Sequence, residues 1–238
     1  MVSRVDAALV LAGGRSARFS GQEKSLARLE GEAMITRVVA RVSPLVDTVV
    51  VSCRAEQRDG LSDALADVDL DADTHLVFAF DEYPDRGPVY GLQAGLRVVR
   101  RECEYGFQDR NAKSEPRDTA VVVACDLPLL EPVLFECLEG YLGETDVVVP
   151  ETSDGQRHPL AGLYRVTPTL EAITGVGGAR DCSRSTPGMF DLLSRLETVW
   201  VGSDRLPRGA DRMLRNVNTR AELATAESVL EAEDGDRP

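Results

Sequence analysis

The chain has 238 residues, of which 43% are hydrophobic, and its 40 acidic and 27 basic residues give a net charge of −13. This length and composition suit one generous α/β domain. The negative charge argues against nucleic acid or an anionic membrane surface as a partner, because phosphate groups attract positive surfaces.

The basic residues are unevenly distributed between the two types. Only Lys24 and Lys113 are lysines, and the other 25 are arginines. An acidic surface with few lysines suits a protein in concentrated salt, where charges are screened over short distances. GC-rich coding would deplete lysine equally well, so the composition predicts a halophilic-type acidic surface but no activity.

Cysteine and histidine spacing gives no sign of a metal site. The five cysteines and two histidines form no C-x-x-C or related pattern, so we expect no zinc. No apolar run approaches the roughly 20 residues that span a bilayer, and the first residues show no signal-peptide pattern. We therefore expect a soluble, cytoplasmic protein without a membrane span.

Apolar runs of strand length alternate with segments of helical spacing along the chain. Strands are predicted at 7–12, 48–53, 74–80, 118–126, 145–150, 158–166 and 197–202. Helices are predicted at 33–46, 56–67, 89–101, 131–140 and 189–196, with a last helix after Thr219. Because the Val-rich runs are continuous, they indicate strands covered on both faces. The sequence therefore predicts a Rossmann-like α/β fold with a mostly parallel central sheet and helices on both faces.

No linker divides the chain, so we expect a single domain over residues 1–230. The polar segment 101–118 is rich in helix breakers and is predicted to be an exposed loop or surface insertion. The acidic residues 231–238 are predicted to be a flexible tail.

The glycine-rich segment LVLAGGRSARFSGQEK includes the end of the first predicted strand. Gly13 and Gly14 lack a Cβ, which lets backbone amides approach an anion closely. Arg15, Arg18 and Lys24 add positive charge. The P-loop and dinucleotide patterns are absent, and glycine content alone leaves two interpretations open, a triphosphate-binding loop or a turn from strand to helix. The retention of a rare lysine favours phosphate binding.

Other polar residues follow predicted strands or sit in short motifs. Asp126 ends the run VVVACD, where α/β folds bind ligands. A carboxylate buried there needs a cation, and Mg²⁺ suits a site beside a triphosphate, although Asp126 could instead cap the next helix. Asp81 follows another strand, and the turn Gly87-Pro88 precedes a predicted helix. A lone histidine such as His158 is more often structural than functional.

Five segments in this order resemble the motifs of the molybdenum cofactor guanylyltransferases: LAGGRSARFSGQEK, D…RGPVYGL, VVACDLPLL, HPLAGLYR and NVNT. This family belongs to the nucleotidyltransferases with a glycosyltransferase-A topology, whose first motif is LAGGxSxRMGxxDK. The resemblance covers residues 7–225. It implies a Mg²⁺-dependent transfer of GMP from GTP to the terminal phosphate of molybdopterin, with release of pyrophosphate. It also implies molybdoenzymes or cofactor-delivery proteins as partners.

The resemblance also implies roles for individual residues. It makes Lys24, Arg18 and Asp126 catalytic, with Asp126 as the magnesium ligand. The implied nucleotide-binding residues are Leu11, Ala12, Gly13, Gly14, Arg15, Lys24, Ser52, Asp81, Gly87 and Asp126. The implied acceptor-binding residues are Arg157, His158, Asn216 and Asn218.

Several positions depart from the family pattern. Glu23 replaces its Asp, Phe19 replaces its Met, and Ser52 or Cys53 stands near a missing Asn. The preference for guanine therefore has less support than the reaction class. CTP with molybdopterin, and GTP with cobinamide phosphate or phospholactate, stay open. So does a non-catalytic nucleotide-binding protein that delivers the cofactor.

Overall fold

The computed structural model describes residues 5–14, 19, 23–71, 74–84, 86–109, 118–176 and 188–234. The strands within these ranges are β1 (Ala7–Leu11), β2 (Arg28–Leu29), β3 (Glu32–Ala33), β4 (Thr48–Cys53), β5 (His75–Phe80), β6 (Thr119–Ala124), β7 (Val147–Pro150), β8 (Ala161–Arg165) and β9 (Thr198–Val201). The α-helices are α1 (Met34–Val42), α2 (Arg58–Leu65), α3 (Pro88–Asp109), α4 (Val133–Glu139), α5 (Val166–Val176), α6 (Met189–Leu193), α7 (Ala210–Met213) and α8 (Arg220–Asp234).

Seven of these strands form one sheet in the order β5-β4-β1-β6-β8-β7-β9, and β2 and β3 form a separate hairpin. β8 runs antiparallel to both of its neighbours, while the other pairs in the large sheet are parallel. The predicted Rossmann-like, mostly parallel sheet is confirmed.

Helices cover both faces of the sheet, which explains why the strands are apolar without interruption. In β1, Ala8 and Val10 belong to the apolar cluster that includes residues of α1, α2 and α4. Ala7 and Leu9 point to the opposite face and belong to the cluster with α3, α5 and α6. Because both faces are buried, every position of the strand favours an apolar side chain.

A glycine in α3 lets this helix lie close to the centre of the sheet. A Cβ at Gly95 would come 2.2 Å from Leu9 Cδ1, which is closer than atoms can approach. A second glycine, Gly87, directly precedes α3. Its φ of +84° is a left-handed conformation that glycine adopts without strain. The close packing and the turn together place the start of α3 at the carboxyl edge of β4 and β5.

Two segments predicted as irregular are partly helical. The prediction of a loop from residue 101 is wrong for 101–109, because α3 continues to Asp109 and Cys103 extends its apolar face onto the core. Residues 231–234 of the predicted tail belong to α8, which continues to Asp234 after Val229 and Leu230 pack on a third cluster. Residues 110–117 and 235–238 lie outside the described ranges.

The region after the first strand also differs from the prediction. The hairpin of β2 and β3 was not foreseen, and α1 ends at Val42, where a 3₁₀ helix, Ser43–Leu45, takes over the segment predicted as helix to residue 46. Pro44 lacks the amide hydrogen that an α-helix interior uses, which accounts for the change. Among the described helices, none is long and apolar enough to cross a membrane.

Candidate functional site

A cavity of about 390 Å³ opens at the carboxyl edge of the sheet. It lies where the strand order reverses, since β4 and β5 are on one side of β1 and β6 is on the other. Open α/β sheets bind ligands at such a point, and the volume is typical of small-molecule sites. The lining residues are Leu11, Ala12, Gly13, Gly14, Lys24, Ser25, Ser52, Asp81, Gly87, Pro88, Gly91, Ala124, Cys125, Asp126 and Leu160.

Hydrogen bonds between neighbouring chain segments hold the floor of the cavity. The amide of Ala12 donates to the carbonyl of Ser52 over 2.8 Å, and the amide of Cys125 donates to the carbonyl of Leu11 over 3.0 Å. The buried hydroxyl of Ser52 donates to the carbonyl of Gly91 in α3 over 2.8 Å. The ends of β1, β4 and β6 and the first turns of α3 are therefore joined into one surface.

Lys24 is the central charged group of this site. Its Nζ lies 2.6 Å from Asp126 Oδ2 and 2.7 Å from Asn218 Oδ1. The side chains of Lys24 and Asp126 are 19% and 18% exposed, so solvent screens their attraction only in part. Lys24 thus joins three segments that are far apart in sequence.

The segment NVNT lies directly against the end of β6. The amide of Val217 donates to the carbonyl of Asp126 over 2.8 Å, and its side chain is buried in the third cluster beside Phe19. The amide of Asn218 donates to Glu222 Oε2 over 2.6 Å, and Thr219 Oγ1 accepts from the amide of Glu222 over 3.2 Å. Thr219 therefore caps the start of the helix predicted after it, and the bond to Glu222 holds Asn218 beside Lys24.

The start of α3 forms the opposite wall of the cavity. Asp81 follows β5, and its Oδ1 accepts a hydrogen bond from the amide of Tyr83 over 2.8 Å. Gly87, Pro88 and Gly91 line the cavity beside it. The free amides at the start of a helix favour an anionic ligand, and here they add to the positive charge of Lys24.

Arg157 and His158 are not among the residues that line the cavity. Arg157 Nε donates to Glu151 Oε2 over 2.8 Å, and the guanidinium lies 4.5 Å from the centre of the Trp200 ring. His158 is 6% exposed, and its Nε2 has no hydrogen-bond partner within the described residues. Burial lowers the pKa of His158, and the negative charges of Asp154, Asp126 and Asp211 oppose this shift only in part.

The structure brings most of the predicted nucleotide-binding residues together. The predicted residues that line the cavity are Leu11, Ala12, Gly13, Gly14, Lys24, Ser52, Asp81, Gly87 and Asp126. Of the predicted acceptor-binding residues, Asn218 reaches the site through Lys24, and Asn216 is half-buried two residues before it. Arg15 and Arg18 lie outside the described ranges.

Sequence reasoning missed several residues of the site. Gly91 belongs to the motif RGPVYGL, so a signal was present, and Cys125 directly precedes Asp126. Burial raises the pKa of the Cys125 thiol to about 12, which keeps it neutral. Gln57 had no signal at all. Its buried amide donates to the carbonyl of Ala12, and only the tertiary structure places it there.

A magnesium ion fits this site only together with a phosphate ligand. Within the part of the chain that the structure describes, no three His, Cys, Asp or Glu side chains are grouped closely enough to hold a metal. Asp126 and Asp81 both line the cavity. Mg²⁺ commonly binds one or two carboxylates and completes its shell with substrate phosphates and water. The carboxylates present therefore suit an ion that arrives with a nucleotide.

The alternative of a simple turn from strand to helix finds no support after β1. Within the described residues, the next elements are a 3₁₀ helix (Lys24–Leu26) and the hairpin of β2 and β3, and the first α-helix begins only at Met34. Gly13 and Gly14 line the cavity instead, and no atom of the described residues, other than those adjacent in the chain, would lie within 4 Å of a Cβ at Gly14. Gly13 and Gly14 therefore face the space that a ligand would occupy.

Comparison with known proteins gives a consistent result. Residues 8–189 match the family model described as the MobA-like NTP transferase domain. The chain is 37% identical over 228 residues to a probable molybdenum cofactor guanylyltransferase of Haloferax mediterranei, covering 93% of each chain. It is 32% identical over 223 residues to a protein of the same description from Natronomonas pharaonis, covering 93% of this chain and 96% of the relative.

A solved structure shows the same fold. The molybdopterin-guanine dinucleotide biosynthesis protein A from Archaeoglobus fulgidus is 24% identical and superposes with a TM-score of 0.66. The match covers 95% of this chain and 99% of that protein. At this level of identity the likeness extends to the architecture of the sheet and its helices.

Proposed function

The chain belongs to the MobA-like NTP transferase family and is a nucleotidyltransferase, and on this premise we propose that it transfers GMP from GTP to the terminal phosphate of molybdopterin. The resemblance seen in the sequence motifs is confirmed by the family match and by the relatives. Its place in molybdenum cofactor biosynthesis follows from these relatives. We further propose that the nucleotide is GTP, that the acceptor is molybdopterin, that the metal is Mg²⁺ and that the protein is cytoplasmic.

The observation that carries the proposal is the contact of Lys24 with both Asp126 and Asn218 at the cavity. Transfer of a nucleotidyl group brings two anions together, so the main needs are neutralised charge and alignment of the reacting phosphates. Lys24 is the cation, Asp126 holds it from one side, and Asn218 holds it from the other. A triphosphate that enters the cavity meets this group directly.

The reaction exchanges one phosphoanhydride bond for another. An oxygen of the terminal phosphate of molybdopterin attacks the α-phosphorus of GTP, a new P–O bond forms, and the bond to the β-phosphate breaks. Pyrophosphate leaves with the electron pair of the broken bond. Lys24 stabilises the negative charge that develops on the leaving group, and the amides of Gly13 and Gly14 bind phosphate oxygens.

Asp126 and Asp81 would hold Mg²⁺ with the nucleotide. When bound, this ion neutralises charge on the phosphate oxygens. In the structure the carboxylate of Asp126 pairs with the ammonium group of Lys24. Both side chains line the cavity, where Asp126 would hold the metal and Lys24 would contact the phosphates of the nucleotide.

The decisive experiment is incubation of the protein with Mg²⁺, molybdopterin and either GTP, CTP or ATP, followed by mass detection of the nucleotide adduct. We expect a GMP adduct of molybdopterin and an equal amount of pyrophosphate. A CMP adduct instead would overturn the assignment of guanine, and no adduct with any nucleotide would overturn the proposal. Salt should be varied in the same assay, since an optimum in dilute buffer would contradict the halophilic prediction.

The same assay tests the metal assignment. Asp126→Ala should abolish Mg²⁺-dependent release of pyrophosphate, because Asp81 would then be the one carboxylate left to the ion among the described residues that line the cavity. Asp59→Ala is the matched control, since the Asp59 side chain is 93% exposed and its partner is Arg58 on the same helix. Full activity of Asp126→Ala would remove this residue from the metal site.

A further inference from the structure

The two ends of the glycine loop, which we define as the segment from Ala12 to Lys24, are held by one short turn after β4. This turn is the 3₁₀ helix Ala55–Gln57 together with its first flanking residue, Arg54. It contributes no residue to the cavity lining. Its contacts go instead to Ala12, which lines the cavity at one end of the loop, and to Glu23, which precedes the lining residue Lys24 at the other end.

Gln57 holds the beginning of the loop. It is 2% exposed, and its Nε2 donates to the carbonyl of Ala12 over 3.2 Å. Its Oε1 accepts from the amide of Arg54 over 2.8 Å. Both ends of the buried amide are thus used, and removal of the side chain would take a partner from the buried carbonyl of Ala12 and from the partly buried amide of Arg54. Such a fully paired amide fixes the position of Ala12 relative to the turn.

Arg54 holds the other end of the loop. Its Nη2 lies 3.4 Å from Glu23 Oε1, and the two side chains are 17% and 24% exposed. Glu23 directly precedes Lys24. A second carboxylate, that of Glu56, lies 3.5 Å from Nη1 of Arg54 but is 66% exposed. The better shielded of the two pairs is therefore the one that reaches the loop.

We propose that the turn Arg54–Gln57 is a brace that sets the distance between the glycine amides and Lys24. Gln57 places Gly13 through Ala12, and Arg54 places Lys24 through Glu23. The amides of Gly13 and Gly14 and the ammonium group of Lys24 must contact the same triphosphate. A fixed distance between them therefore favours the reacting geometry. Arg54, Gln57 and Glu23 are then positioning residues, and this role rests on the proposed function of the loop in binding the nucleotide.

The brace also explains why Glu at position 23 is suited to this chain. Its longer side chain spans the gap to Arg54, where the family pattern has Asp. The pairing is testable by exchange of the charges, because a purely geometric tether works in either direction. An arginine that binds substrate phosphate would not tolerate this exchange.

The test compares Arg54→Gln, Glu23→Gln and the double variant Glu23→Arg/Arg54→Glu, with Arg58→Gln as the control. Arg58 has a similar ion pair, to Asp59, on the exposed side of α2. We expect each single variant to lower kcat about tenfold with a change of KM for GTP below about threefold. The double variant should recover most of kcat, and Arg58→Gln should be unaffected. A loss in the double variant larger than in either single one would overturn the brace and make Arg54 a phosphate contact.

Hydrogen exchange of the free protein tests the brace independently of the reaction. Peptides that cover residues 7–14 and 23–29 should exchange about tenfold faster in Arg54→Gln and in Gln57→Leu, and the exchange of charges should restore protection at 23–29. Peptides from β7 and β9 serve as the internal reference. Unchanged exchange at both loop ends would overturn the brace even in an active enzyme. The expected exchange without any turnover in the parent protein would leave the brace standing and reject the proposed reaction.

Discussion

The ion pairs at the two halves of the carboxyl edge of the sheet differ in exposure and in the sequence separation of their partners. At β1, β4 and β6, Lys24 pairs with Asp126, which is 102 residues away, and with Asn218, which is 194 residues away. At β7 and β9, Arg157 pairs with Glu151 only six residues away, and the side chains are 49% and 31% exposed. The first arrangement depends on the assembled fold, whereas the second needs only a short turn.

This difference distinguishes a charged pair at a binding site from an ordinary surface pair. A shielded pair that joins distant segments is costly to assemble, because both groups lose water when the chain folds. An exposed pair between near neighbours contributes little and costs little. The cavity lies beside the first kind of pair. The predictions below test this contrast, from the largest expected effect to the smallest.

Lys24→Gln should cause the largest loss. The variant keeps a hydrogen-bond donor beside Asp126 but removes the positive charge, so turnover should fall about 10²- to 10³-fold, as when a group that stabilises developing charge is lost. Release of pyrophosphate at saturating GTP measures this effect. Arg41→Gln, on α1, is the control for loss of a positive charge elsewhere. Normal kinetics of Lys24→Gln would remove the lysine from the site.

His158 should make the free energy of unfolding depend on pH. Burial lowers its pKa below the ordinary value of 6.5, so below pH 6.5 the unfolded chain binds a proton more readily than the folded one. The contribution of the neutral His158 to the free energy of unfolding should therefore be complete above pH 6.5, and it should be lost as the pH falls from 6.5 through the folded-state pKa. His158→Gln should show a shallower decrease in denaturant titrations from pH 7.5 to pH 5.

His75 provides the comparison for this experiment, since it is the other histidine and is exposed at the start of β5. His75→Gln should keep the slope of the parent protein. Equal slopes for the parent and His158→Gln would show that His158 does not contribute.

Arg157→Gln should have the smallest effect on stability. It removes an exposed ion pair and the contact with Trp200, which together should lower the free energy of unfolding by about 1 kcal/mol or less. If Arg157 also binds the acceptor, as the family resemblance implies, KM for molybdopterin should rise while KM for GTP stays constant. Steady-state kinetics with each substrate varied in turn distinguish the two roles, and a rise in KM for GTP would contradict both.

The regular elements were predictable because burial on two faces leaves a strong local pattern. The prediction for β4 matches at both ends, 48–53, and the run VVVAC marks β6 to within two residues at each end. Helix ends were less certain, since α3 and α8 continue into polar segments. Among the described side chains, Cys103 packs on the core near the end of α3, and Val229 and Leu230 do so near the end of α8. The β2–β3 hairpin is formed by four residues, too few to show a periodic pattern.

The sequence allowed individual residues of the candidate site to be predicted, but not the contacts between them. Lys24 was singled out by its rarity, and Asp126 and Asp81 by their places after apolar runs. The part played by Gln57 and Arg54 was not visible, because nothing in a polar helix start indicates which distant backbone group it will reach. The same holds for β8, whose antiparallel direction depends on the route of the chain around β7.

The sequence by itself determined the order of the strands and helices other than the β2–β3 hairpin, α5 and α7, and it determined the burial of the central strands and the family to which the motifs belong. These properties depend on local apolar patterns and on short motifs, which are complete within a few residues. Only the tertiary structure decided that Lys24 lies between Asp126 and Asn218, and that one turn after β4 holds both ends of the glycine loop. Such contacts depend on strand order and direction, since they join segments that share no local signal and meet only after the sheet has formed.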